Sequence, residues 1–342
     1  MKALVLSADR SLRLTDRPEP TCTEPDHVVL RVVQTGICGT DRGVLLGKFP
    51  ARPGVVMGHE AVGEVVRTGP AVTLVRPGDR VVANPTLYCG RCEPCRSGRL
   101  NFCRRKEGNE LGIDRDGAYA EFMLLEEQFL HVLPDDMSCD RAVLIEPLAC
   151  VLNNLDAARV IPSDSVTVLG GGPIGILAAL AADHHGCRTH LVEIDSFRRA
   201  AATTFYEGVD GCAVAVSDDV DVPRSDVVVD AVGNLGARAL ELAEDQGRIV
   251  IMGFDSAASV QLRPLELLQR GLSLIGAGDY NSLIFPRALE LARQLPLERL
   301  ITHRFPLDAF DDALDVIGAR PGGARDRGYA ALKVVIEGRV AA

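Results

Sequence analysis

Residues 166–175 read Val166-Thr167-Val168-Leu169-Gly170-Gly171-Gly172-Pro173-Ile174-Gly175, a strand-forming run that ends in G-x-G-x-x-G. Short glycine patterns are common, so the flanks decide what this one means. Residues 166–169 read as a strand, 174–184 as a helix, and a second apolar run at 190–193 ends in Glu193, 18 residues beyond Gly175. In that frame Gly170 permits a tight turn, Gly172 lets the backbone approach a pyrophosphate, and Gly175 lets the helix pack near the strand. Pro173 and Ile174 open a helix whose free N–H groups and positive dipole end suit a phosphate. The pattern predicts a dinucleotide-binding unit; a glycine turn that binds nothing is the plainer alternative, and the joint pattern argues against it. Glu193 is placed to accept both adenosine ribose hydroxyls and to repel a 2′-phosphate, which favours NAD over NADP. Arg198 and Arg199 follow it and are the residue type an NADP site would use, although arginines there also suit a solvated helix face.

Reading outward, apolar runs at 227–229, 248–252 and 272–275 continue the alternation of strands and helices to residue 277, which predicts a doubly wound parallel sheet of α/β class. Residues 1–150 have another texture: short β-like runs at 27–33, 61–66 and 80–83, separated by Gly and Pro, suggest a compact β-rich domain. Beyond 283, amphipathic helices are expected at 286–294 and 307–317, and a closing strand at 332–336. A chain of 342 residues exceeds the usual limit of one core, and 47% hydrophobic residues can fill two. No apolar run approaches the roughly 18 residues of a membrane span. The N-terminal apolar stretch is broken by Asp9 and Arg10, unlike a signal peptide, so a cytoplasmic protein is expected. A net charge of −10 argues against a general nucleic-acid surface. His184 and His185 point in different directions on a helix and read as C-terminal residues favourable to its dipole, not as a chelate.

Residues 89–103 read Cys89-Gly90-Arg91-Cys92-Glu93-Pro94-Cys95-Arg96-Ser97-Gly98-Arg99-Leu100-Asn101-Phe102-Cys103, the spacing C-x2-C-x2-C-x7-C. Four thiolates at these gaps suit a tetrahedral zinc whose closed shell has no room for substrate, so the ion would staple a loop. A disulfide pair and an iron–sulfur cluster are the alternatives. The other six cysteines, Cys22, Cys38, Cys139, Cys150, Cys187 and Cys212, show no disulfide framework and read as reduced thiols. A second metal site is suggested by Gly36-Ile37-Cys38-Gly39-Thr40-Asp41 and Gly58-His59-Glu60, although a lone Cys and a lone His are more often core residues.

The ordered set of Cys38 and Asp41, His59 and Glu60, the four-cysteine segment and the later glycine fingerprint resembles the zinc-containing medium-chain dehydrogenase family across essentially the whole chain. Gly58-His59-Glu60-Ala61-Val62-Gly63, Pro77-Gly78-Asp79-Arg80-Val81, Asp116-Gly117-Ala118-Tyr119-Ala120-Glu121-Phe122, His303-Arg304-Phe305-Pro306-Leu307 and Leu332-Lys333-Val334-Val335-Ile336 agree. The resemblance implies a GroES-like catalytic domain from residues 1–150 and 283–342, a structural zinc lobe at about 86–106, and a Rossmann domain at 151–282. Glu146-Pro147-Leu148-Ala149, 24 residues before Gly170, resembles the polyol and sugar branch, which carries a carboxylate at the catalytic zinc; Cys150 is the rival ligand. Asn109-Glu110-Leu111-Gly112-Ile113-Asp114 and Cys38-Gly39-Thr40-Asp41-Arg42 look like the glucose dehydrogenase subgroup, with cyclitol and aminocyclitol dehydrogenases close by.

By the same resemblance, the chain is expected to bind two zinc ions and NAD. One zinc would be held by Cys38, His59 and a carboxylate from Glu60 or Glu146, and would acidify a substrate hydroxyl before hydride transfer. Thr40 would carry the released proton and Asp41 would orient His59. Relatives often place a histidine after this aspartate, but here the chain reads Asp41-Arg42-Gly43-Val44, so the outer end of the relay must differ. Arg42 and Glu110 are candidate substrate contacts, against the plainer readings of a solvent-facing arginine and a surface carboxylate. The implied substrate is a polyol, sugar, cyclitol or aminocyclitol bearing a secondary hydroxyl or lactol. An amino-alcohol dehydrogenase of the threonine type, or a zinc- and NAD-binding protein without turnover, are the alternatives. Relatives are commonly homodimers or homotetramers.

Overall fold

The β-branched run around Val168 forms the strand Ser165–Leu169, which lies inside a six-stranded parallel sheet. The computed structural model describes residues 1–319 and 331–338. In sheet order the strands are Ala215–Ser217, Arg188–Val192, Ser165–Leu169, Ser225–Asp230, Ala243–Ile251 and Ser273–Ile275. Numbered by their place in the chain they run 3-2-1-4-5-6, the order of a doubly wound dinucleotide fold, with the switch point beside Ser165–Leu169. The helix Pro173–His184 begins with Gly172 as N-cap and buries every residue from Gly175 to Ala182. Its alanines keep that face thin. Gly170 takes φ +104°, a conformation that a side chain resists. A Cβ at Gly175 would fall on the Gly170 carbonyl oxygen, so helix and turn meet only because residue 175 is glycine. Glu193 lies just past its strand, which ends at Val192, because the chain has already turned toward the glycine loop.

The chain forms two compact units, Met1–Glu146 with Asn281–Ala342, and Pro147–Tyr280. The first division falls in the opening turn of the helix Ile145–Ala157, not in a linker, so the break expected at 150/151 lies inside a helix. Pro147 is tolerated there because the first turn of a helix leaves its N–H groups unpaired in any case.

The first unit is built on a seven-stranded sheet. Its order is Ile301–Pro306, Lys333–Glu337, His27–Gly36, Glu60–Thr68, Arg80–Ala83 and Leu130–Val132, with Phe122–Glu126 also paired to His27–Gly36. Val28, Leu30, Val32, Ala61, Val65, Val81 and Leu125 pack one core of this sheet. The returning strand Lys333–Glu337 pairs antiparallel with the end of His27–Gly36, placing Val335 opposite Gly36, and Gly36 lies opposite Glu60 on its other side. Segments hundreds of residues apart thereby meet at one point. The helix expected at 307–317 is divided: a 3₁₀ turn Leu307–Ala309 precedes the α-helix Phe310–Val316, a common way for a helix to start. The helix Phe285–Gln294 is as expected within one residue.

Gly175→Ala should destabilise the second unit by about 1–3 kcal/mol through overpacking. A denaturant midpoint equal to that of the parent protein would contradict the close approach of helix and turn.

Candidate metal and cofactor sites

The four-cysteine segment folds around the short helix Glu93–Arg96, with Cys92 as its N-cap. Cys92 Sγ lies 3.4 Å from Cys95 Sγ and 3.9 Å from Cys103 Sγ, and all four sulfurs lie within 4.8 Å of one another. A tetrahedron with Zn–S bonds of about 2.3 Å has edges of about 3.8 Å. A disulfide would need about 2.05 Å, and every cysteine is a free thiol. The Cys89 and Arg105 backbone N–H groups donate to Cys103 Sγ at 3.3 and 3.4 Å. Backbone N–H groups of Arg91 and Cys92 lower the Cys89 thiol to about 6, whereas burial pushes Cys95 up to about 12. A cation among the sulfurs removes that conflict by making the buried thiolate favourable, so the set fits a thiophilic ion with no open position.

The second group joins three elements. Cys38 is the N-cap of the helix Gly39–Leu45; its Sγ accepts from the Thr40 N–H at 3.5 Å, and its own N–H donates to Asp41 Oδ2 at 2.9 Å. His59 follows Gly58, and Glu60 opens the strand Glu60–Thr68. Ligand atoms of Cys38, His59 and Glu60 all lie within 4.8 Å of one another. Glu146, buried in the first turn of Ile145–Ala157, is outside that group, but its charge reaches both His59 and Lys333. Thr40 Oγ1 lies 3.7 Å from Cys38 Sγ. Asp41 Oδ1 faces His59 Nδ1 at 3.6 Å, longer than a hydrogen bond but close enough to act electrostatically. Burial opposes an imidazolium, yet Asp41, then Cys38 and Glu146, hold the His59 pKa well above the ordinary value. Three buried carboxylates and a thiol face one buried lysine here, an excess of negative charge that a divalent cation offsets. The donor set therefore fits a metal of borderline softness.

Two buried residues at this site escaped the motif reading. Tyr119 donates to Asp41 Oδ2 at 2.7 Å, and burial first, then Asp41 itself, keeps the phenol protonated. Gly58, at φ +91°, leaves the room that the Tyr119 ring fills. Lys333 forms an ion pair with Glu60 Oε2; burial disfavours its ammonium, but Glu60, then Cys38 and Glu146, raise its pKa. A lysine interrupting the apolar run Leu332-Lys333-Val334-Val335-Ile336 was the available signal.

Glu193 Oε2 accepts from the Gly171 N–H at 2.7 Å and Oε1 from the Asp195 N–H at 2.8 Å, which fixes the carboxylate on the rim of the glycine turn. Arg199 Nη1 is turned back onto the Glu193 and Ile194 carbonyls at 2.8 and 3.1 Å, and the Arg198 N–H is capped by Asp195 at 2.9 Å. A Cβ at Gly172 would meet nothing within 4 Å, so the turn is open where a pyrophosphate would approach the helix N-terminus. These residues fit a dinucleotide.

Glu110 pairs with Lys106 at 3.3 Å in the loop after the four-cysteine segment. The Arg42 Nε donates to the Ile317 carbonyl at 3.0 Å. Cys150 lies half-buried on the helix Ile145–Ala157 and belongs to no metal-competent cluster among the described residues.

In metal-stripped protein at neutral pH, Cys89 should alkylate before Cys95, because the thiolate is the nucleophile and backbone N–H groups lower Cys89 to about 6 whereas burial pushes Cys95 up to about 12. Added zinc should protect both. Peptide mapping that finds Cys95 modified first, or no protection by zinc, would contradict the four-sulfur cage.

Comparison with known proteins agrees with this geometry. A model of the alcohol dehydrogenase GroES-like domain matches residues 24–135. The sorbitol dehydrogenase of Halalkalibacterium halodurans is 30% identical over 332 residues, 93% of this chain and 96% of its own length. The D-altritol 5-dehydrogenase of Agrobacterium fabrum is 34% identical over 302 residues, 83% of this chain and 86% of its own. Among solved structures, one from Sinorhizobium meliloti 1021, named for a zinc-binding dehydrogenase and bound to NADP, superposes with a TM-score of 0.86 at 31% identity, covering 98% of each chain. With the glycine turn, the four-sulfur cage and the Cys38, His59 and Glu60 cluster in the order the motifs require, the chain belongs to the zinc-containing medium-chain alcohol and polyol dehydrogenase family.

Proposed function

We propose that the protein is a zinc-dependent dehydrogenase that moves a hydride between NAD and a secondary hydroxyl or lactol of a polyol, sugar, cyclitol or aminocyclitol. The observation that carries this reading is the cluster of half-buried Cys38 with buried His59 and Glu60, and the Glu146 carboxylate at its margin. Cys38, His59 and Glu60 would hold the catalytic zinc, and Cys89, Cys92, Cys95 and Cys103 a structural one. When bound, the catalytic ion supplies Lewis acidity of the kind that lowers the pKa of coordinated water from about 16 to about 7, and the nicotinamide takes up the hydride. Tyr119 and the Cys38 N–H fix Asp41, whose charge steadies His59. Thr40, beside Cys38 Sγ, is placed to accept the proton the substrate releases. Relatives often carry a histidine shortly after this aspartate, where this chain reads Arg42-Gly43-Val44; with the Arg42 Nε committed to Ile317, the proton leaves by water or another group.

Glu146 supplies an acceptor for substrate hydroxyls, with Glu110 and Arg42 as further contacts. A buried acceptor left unanswered costs about 1–3 kcal/mol, which disfavours a simple primary alcohol. The names of the sorbitol and altritol relatives support a polyhydroxylated substrate. NAD is preferred because the Glu193 carboxylate, anchored on the rim of the glycine turn, would accept ribose hydroxyls and repel a 2′-phosphate, and Arg199 Nη1 is spent on backbone carbonyls. Ten free thiols support a reducing compartment, the cytoplasm, and no helix among the described residues is long and apolar enough to cross a membrane.

A homo-oligomer is part of this proposal. The helix Pro264–Arg270 buries none of its residues, leaving Leu265 and Leu268 63% and 78% exposed just before Ser273–Ile275 in the chain, the edge strand of its sheet among the described residues. An unpaired edge flanked by leucines suits its own copy across a two-fold axis.

Protein from zinc-replete medium should carry two zinc ions per chain by elemental analysis. It should reduce NAD faster than NADP across a panel of hexitols, aldoses, inositols, aminocyclitols and amino alcohols, with cyclic or vicinal polyols ahead of ethanol, and His59→Ala should abolish turnover while keeping the fold. Ethanol as best substrate would sink the polyol reading; zinc-loaded protein that oxidises nothing would favour a non-catalytic role. Separately, Leu268→Glu should convert the oligomer to a monomer in sedimentation velocity. A parent protein that sediments as a monomer would refute the pairing.

A further inference from the structure

Glu60 stands at the junction of three neighbouring strands. It opens Glu60–Thr68, faces Gly36 at the end of His27–Gly36, and meets Lys333 from the returning strand Lys333–Glu337. Lys333 is 3% exposed and Glu60 1%, so water solvates neither charge appreciably. Such a pair needs close geometry to offset its desolvation. Gly36 makes the geometry available. A Cβ there would overlap Glu60 Oε2 and stand 2.8 Å from Lys333 Cε, so the carboxylate and the lysine stem occupy the volume that a side chain at position 36 would take.

The consequence concerns how Glu60 reaches a metal. A carboxylate has two oxygens, and both can engage one cation when nothing else holds them. Here Oε2 is committed to Lys333. Resting on the metal site proposed above, the geometry points to Lys333 as a positioning residue: it takes one oxygen of Glu60, presents only the other to the ion held with Cys38 and His59, and so keeps a position on that ion open for substrate. Gly36 belongs to the same device because it supplies the space. In this role Lys333 acts through Glu60.

Cobalt(II) loaded into the Cys38, His59 and Glu60 site tests this, because its visible absorption reports the number and kind of ligands independently of turnover. Lys333→Met should change the cobalt band and lower kcat/KM about tenfold or more, the usual cost of losing a partner that orients a metal ligand. In a Glu60→Gln background the same substitution should change neither. Gly36→Ala, which leaves both charges in place but fills their space, should also move the band. A band unmoved by Lys333→Met or by Gly36→Ala in metal-loaded protein overturns the inference, as does an effect of Lys333→Met that persists undiminished beside Glu60→Gln. Parent protein that takes no cobalt at this site would instead overturn the metal reading itself, so the two failures are distinguishable.

Discussion

The burial of negative charge is the constraint on which the catalytic unit depends. Asp41, Glu60 and Glu146 are all withdrawn from water beside the Cys38 thiol, and Lys333 is the buried cation that answers them. Uncompensated carboxylates in such a place would protonate or unfold the site. The arrangement is stable in proportion to the cations and N–H donors brought to it. Asp41 receives the Cys38 N–H and the Tyr119 hydroxyl, Glu60 receives Lys333, and His59 is held toward its protonated form in the absence of a metal. A divalent ion competes for the same charge, which couples metal binding to proton release.

The topology follows from that need. Cys38 and Asp41 come from the helix after His27–Gly36, Glu60 from the neighbouring strand, Glu146 from the helix that opens the second unit, and Lys333 from a strand that the chain adds after completing that unit. Insertion of the Pro147–Tyr280 unit thus separates in sequence what the seven-stranded sheet joins in space. The pairing of Val335 with Gly36 and of Gly36 with Glu60 makes the join, and a register shift of one residue would turn Lys333 to the opposite face.

What the sequence disclosed and what it hid have a common explanation. Motifs of closely spaced residues carry their own geometry: the glycine turn, the four cysteines, and the Cys38 to Asp41 run were legible because a few bonds fix their relative positions. Elements with strong periodicity were equally plain, such as the helix Phe285–Gln294. Lys333 was hidden because its partner lies 273 residues earlier and only sheet pairing brings them together. Tyr119 sat in a recognised phrase, but nothing in that phrase says that its hydroxyl reaches Asp41. The compact units divide at Glu146/Pro147, inside the helix Ile145–Ala157, and a division within a helix leaves no loop-like stretch in the sequence to mark it.

Two carboxylates show how the same chemical group is fitted to opposite tasks. Glu193 has one oxygen on the Gly171 N–H and the other on the Asp195 N–H, both neutral donors at the rim of the turn. Glu60 is instead answered by a full positive charge, so its field is largely spent within the site and its geometry matters more than its charge. Each solution uses a glycine. A Cβ at Gly171 would crowd the Glu193 side chain, and one at Gly36 would displace Glu60 and Lys333. Space left by a missing side chain is therefore part of the specification of both sites, one seating a carboxylate on backbone N–H groups and the other seating a carboxylate against a lysine.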